Sequence, residues 1–497
     1  MHINPPRFYM AFLLSIFALN SHAEAINPGG QTNPPTQLAE SNQVLSPYLF
    51  EGPSQQQVEA EIGWFQVPEN RQHASSRLIE LSYVKFPSTA KQPGPPIVYL
   101  AGGPGGSATG TARGPRFSLF MKLRSVADVI VFDQRGTGLS RNGLERCSGE
   151  PLAMETPLEW QALLKKTIAD VQHCVAQWQA QGIDLAGYNT RENAADLDQL
   201  RRELGASKIS LWGISYGSHL AFAMAKYYPE IIHRMALASL EGLDHTIKQP
   251  ARVDALLREI STALNADVTY SQRYPQLYQD INAIIQRLNT QPQKIPTFIP
   301  QTQQNLTVGL SGLDIQFALS HVFLRDPQYT QKLPRLVAQM KQGDFAEMAA
   351  YVSFVKSRMH QHNPMGLAMD AASGISATRW QQVLKQAPHS VVGRTSNFPF
   401  PDINQYLPVV DLGDEFRREL DSDIPTLLVA GTWDGRTLYA SQRELAARFR
   451  NAHMISVEKA GHNVYMTHPE IGNALVRFFQ GEKVGNQQLR LDDYRFE

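Results

Sequence analysis

The chain has little cysteine, no excess of either charge and no apolar run of membrane length, and each shortage removes a class of protein. Two Cys in 497 residues are too few for a disulfide-framework fold or for a zinc site made of cysteine alone. The 46 Lys+Arg against 46 Asp+Glu give a formal net charge of +0. That balance provides no basic footprint for nucleic acid and no polybasic face for a membrane. The apolar run 8–19 is too short to span a bilayer, and no Cys follows it to take a lipid. There is no internal repeat and no long block of like charge. What is present is globular: 42% of residues are hydrophobic and 19% charged. The length exceeds one compact core of ordinary size, so two domains are expected, or one large α/β domain with an insertion.

The first residues combine Arg7, the apolar run 8–19 and two small-residue patterns, Ser21-His22-Ala23 and Ala23-Glu24-Ala25. This is the make-up of a secretory signal over 1–25, with an uncleaved anchor as the alternative. Cleavage leaves no stable membrane insertion and places the chain in the periplasm or outside the cell. In such an oxidising compartment Cys147 and Cys174 are expected to bridge, which stabilises by roughly 3 kcal/mol in the chain-entropy model. Two unpaired buried thiols are the alternative.

Residues 26–54, rich in Pro, Gly, Gln and Asn, suggest an extended lead-in. Residues 61–86 suggest two strands joined by the polar stretch 68–76. Buried strands are expected at 97–100, ending in Gly-rich sequence, and at 129–132, ending at Asp133. A helix is expected over 191–204, with Thr190 as N-cap and Gly205 as its stop. A strand at 209–212, a helix at 219–228 and a strand at 235–240 follow. This alternation predicts an α/β fold with a doubly wound, mostly parallel sheet. From 245 to about 420 the short apolar strand runs disappear. Helical periodicity takes over at 253–264, 276–288 and 333–340, with Pro275 ahead of the second. Strands return at 426–430 and 454–457, and 469–479 predicts a final amphipathic helix. The chain thus divides into a core in two parts, 26–244 and 421–497, interrupted by a helical cap or lid at 245–420.

The strongest chemical motif is Gly213-Ile214-Ser215-Tyr216-Gly217, a G-x-S-x-G between an expected strand and an expected helix. A sharp turn there lifts the Ser215 hydroxyl clear of the sheet, and the glycines relieve the crowding. It also leaves the next N–H at a helix start, able to donate to an oxyanion. A serine hydroxyl needs a base, and in this setting an acid and then a His follow in chain order. Asp434 follows the strand 426–430, and His462 follows the strand 454–457. Both fall on loops at carboxyl ends of strands, where open α/β sheets gather their sites. Asp411, Asp414, Asp421 and Asp423 compete with Asp434 but precede the strand.

Gly102-Gly103-Pro104-Gly105-Gly106 follows the strand 97–100, and its backbone N–H groups can approach a developing oxyanion. An ordinary flexible loop is one alternative. A dinucleotide fingerprint is another, but Thr109-Gly110-Thr111 is a poor helix start where that motif needs a helix. Asp133-Gln134-Arg135-Gly136-Thr137-Gly138 follows the next strand, and its charges suit the fastening of loops better than catalysis. No His/carboxylate cluster has metal-ligand spacing, so neither metal nor cofactor is expected.

Taken together these motifs resemble the α/β-hydrolase fold, and within it serine aminopeptidases of the prolyl and tripeptidyl type. The resemblance rests on the GGPGG loop at 102–106, the DQRGTG loop at 133–138, the GISYG motif at 213–217, Asp434 and Gly461-His462. It implies Ser215 as nucleophile, His462 as base, Asp434 as its orienter, and the Gly103 and Tyr216 N–H groups as oxyanion hole. It also implies a helical cap between the strands. Ala101 stands where prolyl aminopeptidases usually carry His, which speaks against strict proline specificity. An aminopeptidase must hold a free α-ammonium group with carboxylates. Glu241 and the loop residue Gly102 are the substrate-binding candidates; the alternative for Glu241 is a solvated loop or helix-start residue.

The expected function is an exported serine hydrolase that releases N-terminal residues from short peptides. An esterase or amidase acting on small esters or amides shares the same triad. A non-catalytic binding protein of this fold is the third possibility.

Overall fold

The computed structural model describes residues 45–299, 302–491 and 494–497. The expected signal at 1–25 and the lead-in up to residue 44 lie outside the described residues.

Strands β1 (Ser46–Glu51), β2 (Gln57–Pro68) and β3 (Leu78–Phe86) form an antiparallel meander. Next in the chain come β4 (Gly94–Leu100), β5 (Ala127–Asp133), the two-residue β6 (Cys147–Ser148), β7 (Ile209–Ile214) and β8 (Ile232–Ala238). The stretch after β8 carries β9 (Gln293–Ile299), β10 (Gln304–Leu310) and β11 (Gln361–His362). β12 (Thr426–Gly431), β13 (Ala452–Glu458) and β14 (Gln487–Arg490) complete the set.

One sheet of 10 strands runs β1-β2-β3-β5-β4-β7-β8-β12-β13-β14. From β5 to β14 every pairing is parallel, and the meander joins antiparallel through β3 and β5. The expected doubly wound, mostly parallel sheet is therefore borne out. The central strands are apolar almost throughout because both of their faces are covered. The helices Trp160–Ala180, Thr190–Glu203 and Tyr216–Tyr227 pack on one face, and Phe117–Leu123 with Pro469–Phe479 on the other. Between β8 and β12 the chain leaves the sheet and builds a second core from its own helices, around Leu257, Ile285, Phe317, Phe323, Leu336 and Val352.

Four local expectations are corrected. β1 occupies part of the expected lead-in, paired along β2. The β9–β10 hairpin stands where helices alone were expected; most of its exposed positions are polar, Phe298 is an exception and Pro296 interrupts it, so no apolar run marks it. A strand follows the final helix: β14 is short, polar and at the sheet edge, so β13 is not the last. The helix of 190–203 is capped by Asn189, whose side chain accepts from the Glu192 N–H, and Thr190 is its first residue.

Candidate active site

Ser215 stands between β7 and the helix Tyr216–Tyr227 with φ 58° and ψ −128°, a conformation that costs an L-residue on the order of 1–3 kcal/mol. Its surroundings fix it. A Cβ on Gly213 would sit 2.7 Å from the Gly217 carbonyl oxygen, and one on Gly217 would collide with the Leu100 carbonyl. The Ser215 N–H donates to the Ala238 carbonyl at the end of β8 (3.1 Å). The next residue, Ser239, donates its hydroxyl to the His462 carbonyl (2.7 Å). The serine turn and the histidine loop thus hang from the last residue of β8 and the residue after it.

His462 and Asp434 are brought together. The imidazole Nδ1 lies 2.9 and 3.0 Å from the two carboxylate oxygens, and the residues are 8% and 0% exposed. Asp434 also accepts from the Arg436 and Thr437 N–H groups (2.8 and 3.0 Å), the Thr437 hydroxyl (2.6 Å) and the Gln442 amide (3.3 Å). Burial alone would push this carboxyl up. The charge of His462, its hydrogen bond and those from Thr437 outweigh burial and hold it well below the usual carboxylate range. For His462 the balance goes the other way. Burial and the positive charges of Arg436 and Arg325 lower it against the pull of Asp434, so the ring is a neutral base near pH 7.

The GGPGG loop passes directly over the serine: a Cβ on Gly102 would meet the Ile214 carbonyl oxygen at 2.8 Å and Ser215 Cβ at 3.0 Å. Gly103 has φ +134°, open only to glycine. Beyond the loop a short helix, Ala108–Ala112, does begin, contrary to expectation. Its start is filled by the Asp133 carboxylate, which accepts from the Ala108 and Thr109 N–H groups and from the Ser107 and Thr109 hydroxyls. A dinucleotide phosphate would need that place. Asp133 also accepts from the Leu139 N–H (3.0 Å). Arg135, fully buried, holds Asp196 and the carbonyls of Glu69 and Gly187. Both charges of the DQRGTG loop therefore tie neighbouring loops together.

Glu241 is neither solvated nor at a helix start. It is 5% exposed, its N–H donates to Ser218 Oγ (2.9 Å), and its carboxylate lies 3.6 Å from Lys248 Nζ. Three charged groups that the sequence did not point to share this region. Asp370, on the helix Pro364–Ser373, is pushed up to about 8 by burial and by Glu241. Arg436, two residues after Asp434, is held down by burial against the charges of Asp434, Glu241 and Asp370. Arg325 is lowered to about 9, chiefly by Arg436 and then by burial. Arg436 had a signal in its nearness to Asp434; Arg325 and Asp370 come from the stretch after β8 and belong to no motif. A cavity of about 460 Å³ opens on His462 and on both arginines. Cys147 and Cys174 are bonded to each other. Among the described residues no group of His, Cys, Asp and Glu is arranged to hold a metal ion.

The chain has the α/β-hydrolase fold, and its serine, histidine and aspartate stand on the loops where that fold gathers chemistry. Residues 95–284 match the family model of the alpha/beta hydrolase fold, and residues 406–488 match that of TAP-like protein. The chain is similar to serine protease Hip1 of Mycobacterium tuberculosis, 27% identical over 184 residues that make up 35% of each protein. It is also similar to the tripeptidyl aminopeptidase of Streptomyces lividans, 28% identical over 168 residues, 29% of this chain and 28% of that one. The matched stretch thus spans about a third of the length of these curated relatives. Among solved structures, an alpha/beta hydrolase enzyme from a deep-sea metagenome library covers 82% of this chain and 95% of its own, with 14% identity and a TM-score of 0.37.

Proposed function

We propose that this protein is a serine hydrolase that releases N-terminal residues from short peptides. The observation that carries it is His462, its Nδ1 within 2.9 and 3.0 Å of the two Asp434 oxygens, on a loop held to the same strand end as the strained Ser215. Ser215 Oγ attacks the scissile carbonyl while the His462 ring takes its proton. Asp434 holds the ring's orientation and stabilises the imidazolium. The Gly103 and Tyr216 N–H groups receive the oxyanion. His462 then returns the proton to the leaving amine, and water resolves the acyl-enzyme. Gly102 passes over the serine, and Glu241 supplies negative charge for the substrate's ammonium group.

The similarity to a serine protease and a tripeptidyl aminopeptidase and the TAP-like match favour peptides over simple esters. Residues 245–420 serve as the cap over a core formed by 26–244 and 421–497. Residues 1–25 direct export to the periplasm or beyond, a location that suits the Cys147–Cys174 disulfide. Among the described residues no helix is long and apolar enough to cross a membrane.

Arylamides of one to three residues, free and N-acetylated, test the proposal together with acetyl and butyryl esters. Cleavage confined to free amino termini is expected; equal cleavage of blocked peptides, or of esters alone, would replace the aminopeptidase by an amidase or esterase. Ser215→Ala should cut turnover by about 10⁴-fold or more, and retained turnover in that variant would remove Ser215 from the mechanism.

A further inference from the structure

Most arginines of this protein with little exposure are paired: Arg135 with Asp196, Arg417 with Asp411 and Asp414, Arg71 with Glu192 and Asp196. Arg325 and Arg436 are not. Among the described residues neither guanidinium donates a hydrogen bond or joins an ion pair, although both are mostly shielded from solvent. They lie near enough to each other that Arg436 is the largest influence on Arg325. Two like charges in a partly desolvated place are costly, and neither has a protein partner among the described residues that offsets the cost.

The negative groups nearby are already engaged. Asp434 is held by His462 and Thr437, and Glu241 faces Lys248. Asp326, next to Arg325, caps the Gln328 N–H (3.0 Å). Asp370 is protonated over much of the neutral range, since burial raises it to about 8. A third cation, Arg358, stacks on Phe354 at 4.2 Å and lines the same cavity. That cavity, about 460 Å³ and bounded also by Phe317 and Phe398, opens on His462. Its size suits a peptide of a few residues. Its free charge is positive and fork-shaped, the complement of a carboxylate.

We propose that Arg325 and Arg436 form a carboxylate-binding subsite beside His462, so that the preferred substrates are short peptides carrying an anionic carboxylate, at the C-terminus or on an acidic side chain. This rests on the peptide-hydrolase function proposed above and names the substrate class for it. A carboxylate seated there pairs both guanidinium groups and fixes the peptide's register against Ser215. Peptides too long to place a carboxylate at that distance lose the contact, which makes the subsite a ruler for length when the anion is the C-terminus.

The test is a binding measurement that does not depend on turnover. In the Ser215→Ala protein, calorimetry compares Ala-Ala-Ala, its C-terminal amide, and an amide carrying Glu in place of one Ala. The acid should bind 10- to 100-fold more tightly than the plain amide, the range expected of a charge-assisted hydrogen-bonded pair. Recovery of that margin by the Glu-containing amide assigns the site to side-chain carboxylates; no recovery assigns it to the C-terminus. Equal affinities of all three peptides would overturn the subsite. In the same background Arg325→Met and, separately, Arg436→Met should bring the acid-to-amide ratio close to one. A ratio unchanged in both, with melting temperatures near that of the parent, would also overturn it. Fluorophosphonate labelling of Ser215 in the wild-type chain reads the hydrolase function separately: its failure with the acid preference intact would remove the chemistry and keep the subsite.

Discussion

At the scale of single residues, the serine turn has no room to spare. Replacing Gly217 by Ala drives a Cβ into the Leu100 carbonyl, a backbone atom that cannot swing aside. The expected cost is about 1–3 kcal/mol or more, and fluorophosphonate labelling should fall with it; normal labelling and melting would contradict the packing described. His462 yields a pH prediction. In the proposed mechanism His462 acts in its neutral form, and burial places its pKa below the ordinary 6.5. The acid limb of kcat/KM for an uncharged substrate should therefore lie below pH 6.5. Arg436→Met removes a charge that lowers His462, so the limb should move to higher pH; an unmoved limb would mean that the arginine does not reach the ring. Ser215, Asp434 and His462 were legible in the sequence because each directly follows a strand in a fixed chain order. Arg325 and Asp370 were not, because they enter from a segment whose approach to the site is decided by tertiary packing.

At the scale of elements, buried charge holds the stretch after β8 in place. Lys356 ends the helix Ala346–Lys356 and lies 3.1 Å from Asp314 on the helix Gly312–Ala318. It also donates to the carbonyls of Thr156 and Gly309. Asp314 in turn accepts from the Leu158 and Ser311 N–H groups. Both partners are fully buried, so Lys356→Met leaves an unpaired carboxylate inside. A loss of about 3–5 kcal/mol is expected, read by urea unfolding; a loss under about 1 kcal/mol would show the pair to be replaceable. The alternation of central strands and helices was legible because apolar runs of strand length separate periodic helices. The strands that escaped, β1, β6, β9, β10, β11 and β14, are short, polar on one side or at an edge. Their strand character comes from a neighbour's hydrogen bonds rather than from their own composition.

At the scale of the whole molecule, histidines with little exposure set the response to acid. His219, His245, His321 and His462 are all lowered, in each case chiefly by burial. The unfolded chain takes up their protons below the ordinary value of 6.5, while the folded chain resists until lower pH; for His321 that means about 4. Stability is therefore complete above pH 6.5 and falls as the pH drops. His321, which is partly exposed, should contribute a loss on the order of 1–2 kcal/mol by pH 5. The melting temperature should decrease between pH 7 and pH 5, and a flat profile would contradict these burial effects. The last residues join the second core. Tyr494 and Phe496 pack around Trp433, the neighbour of Asp434, while Glu497 pairs with Lys332 and Arg335.

The Cys147–Cys174 bond acts beyond the loop it closes. Cys147 lies in β6, paired with β11, and β11 continues into Asn363 on the wall of the cavity beside His462. Cys174 belongs to the helix Trp160–Ala180, whose Asp170 lies 3.7 Å from His362 Nε2. One covalent clasp thereby fastens a wall of that cavity to a helix packed on the central sheet. Loss of this bond should therefore alter the shape of the cavity, which His462 also lines. Mild reduction should raise KM for peptides well before it slows fluorophosphonate labelling of Ser215.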